Sequence, residues 1–274
     1  MSKRKRVPMD LCDPIEVFDQ PEVHHVLFYP VRLSDAGKDD PRNLFFEVEP
    51  GIRIGCRFYK VQESFPTVLF FHGNGEVAPD YDEIAPLFND IKLNLLVVDY
   101  RGYGYSDGDP TIANLLKDAK VIFVRVKQWL KDNGCSGILF VMGRSLGSLC
   151  AIEVAREYQD DLAGIIVESG SATNFRHYLG LFGLIPFEHP VWKEGKNFFN
   201  KEKIRLVKKP TLIIHAEYDS LVPLEEAKVL FANSGAENKK LIIIPCADHN
   251  SLMYGGKEQY FKGLADFVGN HATR

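Results

Sequence analysis

Six short apolar runs most constrain what this chain can fold into. They are TVLFFHG (67–73), LNLLVVDYRG (93–102), GILFVMG (137–143), GIIVESG (164–170), TLIIHAEYD (211–219) and KLIIIPCADH (240–249). Each is apolar without alternation and ends in glycine or polar residues. A strand of that kind must be covered on both faces. Helical spacing of apolar residues separates most of the runs, over Tyr81–Phe88, Ile112–Trp129, Leu146–Tyr158, Leu224–Ala232 and Tyr260–Val268. Apolar strands alternating with amphipathic helices predict an α/β fold: a mostly parallel central sheet with helices on both faces. Upstream, HHVLFYPVRL (24–33) and LFFEVEPGIRIGCRFYK (44–60) read as extended, with turn residues at Asp39–Pro41 and Pro50–Gly51, and suit an antiparallel sheet edge.

One connection is much longer than the usual few residues. The stretch 171–209 is rich in aromatics, and Phe175, Tyr178, Leu179 and Phe182 fall at i, i+3, i+4 and i+7. It reads as a lid over the carboxyl edge of the sheet, where open α/β sheets bind ligands. The alternative is an ordinary crossover whose aromatics fill the core. The domain reading is therefore an N-terminal tail over 1–20 and one domain over 21–274, with the lid as an insertion.

Charge and cysteine content narrow the partners. A formal charge of −4 argues against nucleic acid, which needs a basic footprint. No apolar run is long enough for a membrane span, so stable membrane insertion is not expected. Lys3–Arg6 form a basic run with no apolar segment after it, which reads as a solvated tail and not as a secretory signal. Five scattered cysteines without a C-x-x-C pair make a disulfide framework or a metal site unexpected and fit a reducing, cytoplasmic compartment.

The chemistry is concentrated in LFVMGRSLGSLC (139–150), where a buried strand breaks at Gly143-Arg-Ser-Leu-Gly147 and helical spacing resumes at once. A serine on such a corner projects its hydroxyl clear of the sheet. Its neighbours two positions away must be small, because strand and helix converge there. The helix that follows aims free N–H groups and its positive dipole end at the same place. GRSLG is thus a G-x-S-x-G nucleophile elbow in its expected strand–helix context. On this pattern Ser145 is the nucleophile, and the Leu146 N–H is one donor to an oxyanion.

The partners of such a serine follow in the order acid, then histidine. Asp219 lies just past one apolar run and His249 just past the next. In a parallel sheet all three reach one edge. His249 would take the Ser145 proton, and Asp219 would hold the imidazole in the right tautomer. Glu168 also ends a strand and is the rival acid; chain order favours Asp219. Asp248 adjoins His249 and points elsewhere. His215 sits inside an apolar run as a core histidine, and Cys246 lacks an elbow. HGNGE (72–76) follows the first apolar run and would supply the second oxyanion donor, the N–H of Asn74, with His72 holding the loop. Gly75, Phe182 and Val222 are the expected substrate contacts. The tight loop DYRGYGYSDG (99–108) lacks the Gly-Lys-Ser/Thr ending and immediate helix of a phosphate loop.

With HGNG, VVDYRGYGYSDG, GRSLG, HAEYDSLVP and ADHNSL in this order, the chain from about His25 onward resembles the α/β-hydrolase superfamily. It is most similar to the serine-hydrolase branch that includes Bem46-like proteins and their ABHD12, ABHD13 and ABHD17 relatives. The resemblance implies ester or thioester hydrolysis, often of acylated lipids or proteins, without metal or cofactor. Membrane-attached members carry a transmembrane helix or a cysteine-rich N-terminus. Here Cys12 alone stands in that region, and the membrane inference does not carry over. The expected function is a serine hydrolase acting on an apolar acyl group through an acyl-enzyme. A serine peptidase on the same fold is one rival. A non-catalytic binder is the other, since fold by itself permits both.

Overall fold

The computed structural model describes residues 7–272. Two short helices open the chain, α1 (Pro14–Phe18) and α2 (Pro21–Leu27), followed by the hairpin β1 (Asn43–Glu49) and β2 (Ile52–Tyr59). Alternation then sets in: β3 (Thr67–Phe71), α3 (Ala85–Asp90), β4 (Asn94–Val98), α4 (Ile112–Asp132), β5 (Leu139–Arg144), α5 (Gly147–Tyr158) and β6 (Gly164–Glu168). Three short helices fill the long connection, α6 (Arg176–Leu181), α7 (Val191–Glu194) and α8 (Asn200–Lys203). The chain closes with β7 (Thr211–Ala216), α9 (Leu224–Asn233), β8 (Lys239–Ile244), α10 (Leu252–Gly255) and α11 (Lys257–His271).

The eight strands form one sheet in the order β1-β2-β4-β3-β5-β6-β7-β8. The pairs β1–β2 and β2–β4 are antiparallel, and all the others are parallel. The continuous apolar runs of β3 to β7 have the expected cause, while the run at β8 does not: β8 is an edge strand with alternating burial, and Ile243 is exposed. Along β3, Leu69 and Phe71 face the core under α4 and α5, while Val68 and Phe70 face the core under α3 and α11. Strand periodicity of two sends alternate residues to opposite faces, and helices cover both.

Two expectations fail at the N-terminus. Residues 24–27, the start of the segment expected to be extended, belong to the helix Pro21–Leu27. Pro21 sits in the first turn, where its missing N–H costs nothing, and Val23, Val26 and Leu27 are buried along one face. The tail expected to run to Gln20 is folded from Val7 onward. Phe18 of α1 is fully buried and packs against Phe175, Trp192 and Phe198 of the long connection. The basic run Lys3–Arg6 lies outside the described residues.

The elbow is a tight junction. Ser145 has φ +51°, a left-handed conformation. A Cβ on Gly147 would stand 2.0 Å from the Phe71 carbonyl oxygen, and one on Gly143 would stand 2.3 Å from the Gly147 oxygen. Both obstacles are backbone. Gly147→Ala is therefore expected to cost about 3 kcal/mol or more, measured by chemical denaturation; a variant with unchanged stability would mean that α5 can move off β3.

Candidate active site

The carboxyl ends of β3, β5, β7 and β8 each deliver one element of the site. Ser145 follows β5, Asp219 lies in the loop after β7, His249 in the loop after β8, and Asn74 in the loop after β3. Ser145 Oγ lies 3.0 Å from His249 Nε2, and His249 Nδ1 lies 2.7 Å from Asp219 Oδ2. A carboxylate can only accept, so Nδ1 carries the proton and Nε2 is left to accept from the serine hydroxyl. Asp219 is itself fixed: Oδ1 accepts the N–H groups of Leu221 at 3.0 Å and Val222 at 2.8 Å. Burial pushes the Asp219 carboxyl up, but the His249 hydrogen bond and charge outweigh it and hold the group below its ordinary value. Glu168 does not meet His249. Its oxygens accept from Arg144 Nε at 3.1 Å and Tyr260 Oη at 2.7 Å, and burial raises its pKa.

The two expected oxyanion donors are free in the geometric sense. Neither the Asn74 N–H nor the Leu146 N–H has an acceptor among the described residues. Both residues line a cavity of about 290 Å³ that also holds Ser145 and His249. The Asn74 side chain is clamped: its Oδ1 accepts from Tyr103 Oη at 2.7 Å and the Tyr29 N–H at 3.0 Å, and its Nδ2 donates to Leu27 O at 2.7 Å. Tyr103 belongs to the DYRGYGYSDG loop, so that loop braces the strand-end loop beside it. His72 does the same from below. Its Nδ1 donates to Gly73 O at 2.7 Å, and its Nε2 lies 3.2 Å from Asp99 Oδ1. Burial disfavours its charged form, yet the Asp99 hydrogen bond and charge raise its pKa overall. His215 is buried with Nε2 donating to Val222 O at 2.8 Å, while its Nδ1 has no partner among the described residues.

Much of the cavity wall is apolar, with Leu27, Leu149, Phe175, Tyr178, Leu221 and Val222 among its residues. Of the expected substrate contacts, Val222 is on this wall, and Gly75 and Phe182 are not. Gly75 is exposed beside Tyr29. Phe182 is 41% exposed and stacks obliquely on Tyr178, one turn farther from the cavity. The aromatic connection thus divides. Phe175 and Tyr178 face the cavity, while Trp192, Phe198 and Phe199 pack among themselves and against Phe18. Both Tyr29 and Tyr178 line the cavity, and their Oη atoms lie 3.3 Å apart.

Sequence reading passed over Arg144. It is buried beside the elbow serine, and its guanidinium contacts Glu76, Glu168 and the His249 carbonyl. The available signal was a charged residue ending an otherwise apolar strand, which demands a partner.

Comparison with known proteins bears on the family and the fold. A family model described as serine aminopeptidase, S33, matches residues 62–193. The protein Bem46 of Schizosaccharomyces pombe is 30% identical over 216 residues, covering 75% of this chain and 68% of Bem46. A Danio rerio relative named lysophosphatidylserine lipase ABHD12 is 26% identical over 77% of this chain and 63% of its own length. In structure, the Pyrococcus furiosus esterase Pf2001 superposes with a TM-score of 0.70 over 90% of this chain and all of its own, at 22% identity. The order of the motifs, the sheet and these matches together place the chain in the α/β-hydrolase superfamily, as a hydrolase of the Bem46, ABHD12 and ABHD17 type.

Proposed function

We propose that the protein is a serine hydrolase that cleaves carboxylic ester or thioester bonds through an acyl-enzyme. The reading rests on one observation: Ser145, His249 and Asp219 are hydrogen-bonded in series at a cavity lined by Asn74 and Leu146, whose backbone N–H groups have no acceptor among the described residues. Ser145 Oγ attacks the carbonyl as its proton passes to His249 Nε2. The oxyanion takes the Asn74 and Leu146 N–H groups. His249 returns the proton to the leaving oxygen or sulfur, and a water activated by the same nitrogen then releases the acyl group. A fluorophosphonate should label Ser145, and nitrophenyl esters and acyl thioesters should turn over. A protein that neither labels nor turns over any of them is a binder on this fold.

The apolar wall and the relatives named as lipases and esterases support an apolar acyl substrate. Burying each added methylene is worth about 0.8 kcal/mol, so kcat/KM should rise several-fold per carbon until the cavity is full. Phe175 faces the cavity and Phe182 does not. Phe175→Ala should therefore change the chain-length profile, and Phe182→Ala should leave it as it is. Equal effects from both would assign them to packing. The family model's description favours one second reading, a peptidase. Turnover of aminoacyl anilides faster than of esters would establish it.

A further inference from the structure

We infer that Arg144 is a positioning residue that ties the oxyanion loop to the catalytic histidine. This rests on the hydrolase reading above and deepens it. The guanidinium fork reaches three separate strand ends. Nη1 donates to Glu76 Oε1, Nε donates to Glu168 Oε1 at 3.1 Å, and Nη2 donates to the His249 carbonyl oxygen at 2.8 Å. Each contact leads onward. Glu76 Oε2 accepts the Gly73 N–H at 2.8 Å and Tyr81 Oη at 2.6 Å, and Gly73 directly precedes the oxyanion donor Asn74. Glu168 Oε2 accepts from Tyr260 Oη at 2.7 Å. The His249 contact fixes the backbone of the residue that moves the proton.

One side chain, carried on the residue before the nucleophile, thus sets the distance from nucleophile to base and from nucleophile to oxyanion donor together. Buried charge clusters contribute little net stability compared with apolar packing. What this one supplies is direction: a planar fork of five donors with fixed angles, which a lysine ammonium cannot reproduce. Arg144 is not a proton carrier. Its two carboxylate neighbours keep it charged, and burial alone opposes that.

The test is Arg144→Lys, which keeps the charge and loses the fork. Misplacing a catalytic group by about 1 Å can cost about 100-fold in rate. The expected result is a kcat lowered roughly 10- to 100-fold, with KM and the chain-length profile unchanged, and fluorophosphonate labelling of Ser145 slowed by the same factor. The melting temperature is read alongside. A folded lysine variant with wild-type kcat overturns the inference. So does a loss confined to KM or to long esters, which would make Arg144 a substrate contact. Should the lysine variant not fold, Glu76→Gln decides. It keeps the volume and weakens the link to the oxyanion loop, so a lower kcat at unchanged KM supports the inference and an unchanged kcat overturns it. Failure of the unmodified protein to turn over esters or take the label is a separate result, which removes the hydrolase reading itself.

Discussion

Ser145→Ala is expected to abolish ester turnover and fluorophosphonate labelling while leaving the fold intact. In serine-triad enzymes the loss of the nucleophile costs about 10⁶-fold in kcat. The stability change should be small, because Ser145 lines the cavity and its one side-chain hydrogen bond among the described residues is with His249. The backbone at this position is left-handed in either case, so alanine adds little strain that serine did not already carry. Circular dichroism and a melting curve check the fold, and a burst assay with an activated ester checks the chemistry. A variant that still acylates would move the nucleophile elsewhere in the cavity.

Asp219→Asn is expected to lower kcat about 10⁴-fold with little change in KM. The amide keeps the shape of the carboxylate but can donate to Nδ1, which favours the tautomer whose Nε2 carries the proton and cannot accept one. Glu168→Gln should cost far less. Glu168 meets Arg144 and Tyr260, not His249, and a glutamine retains an acceptor for one of them. Steady-state kinetics on both variants decides between the two carboxylates: a larger loss at Glu168 would reassign the acid. Acid stability follows the same contact. The Asp219 carboxyl is held below its ordinary value in the folded protein, so its pairing contributes stability above the ordinary carboxylate range and loses it as the pH falls through the lowered folded value.

Strand runs, elbow and order of the polar strand ends are local or sequential properties, and they are legible in the sequence. An apolar run without alternation states that both faces are covered, and β3 to β7 are covered on both. Gly143 and Gly147 flank a serine because α5 approaches β5 too closely for a Cβ at Gly143 and β3 too closely for one at Gly147. Asp219 and His249 could be placed on one edge because parallel strands all end there. The helix Pro21–Leu27 was missed because a short run such as VHHVLF suits either periodicity, and burial of Val23, Val26 and Leu27 in the core decided the matter.

What the chain's order determined by itself is which residues reach the carboxyl edge of the sheet: Ser145, Asp219, His249 and Asn74. What only the tertiary structure decided is which side chains meet there. Phe175 faces the cavity and Phe182 does not, because a left-handed backbone at Asn174 and Phe175 turns α6 and because Phe18 of α1 backs the Phe175 ring. Arg144 finds Glu76, Glu168 and the His249 carbonyl, and Tyr103 finds Asn74, across separations of 24 to 105 residues. Such contacts leave no periodic trace. A periodic pattern records whether a position is inside or outside. The partner of a buried polar group is set only when loops from several strands close over the same point, and its identity follows from packing and hydrogen-bond satisfaction there.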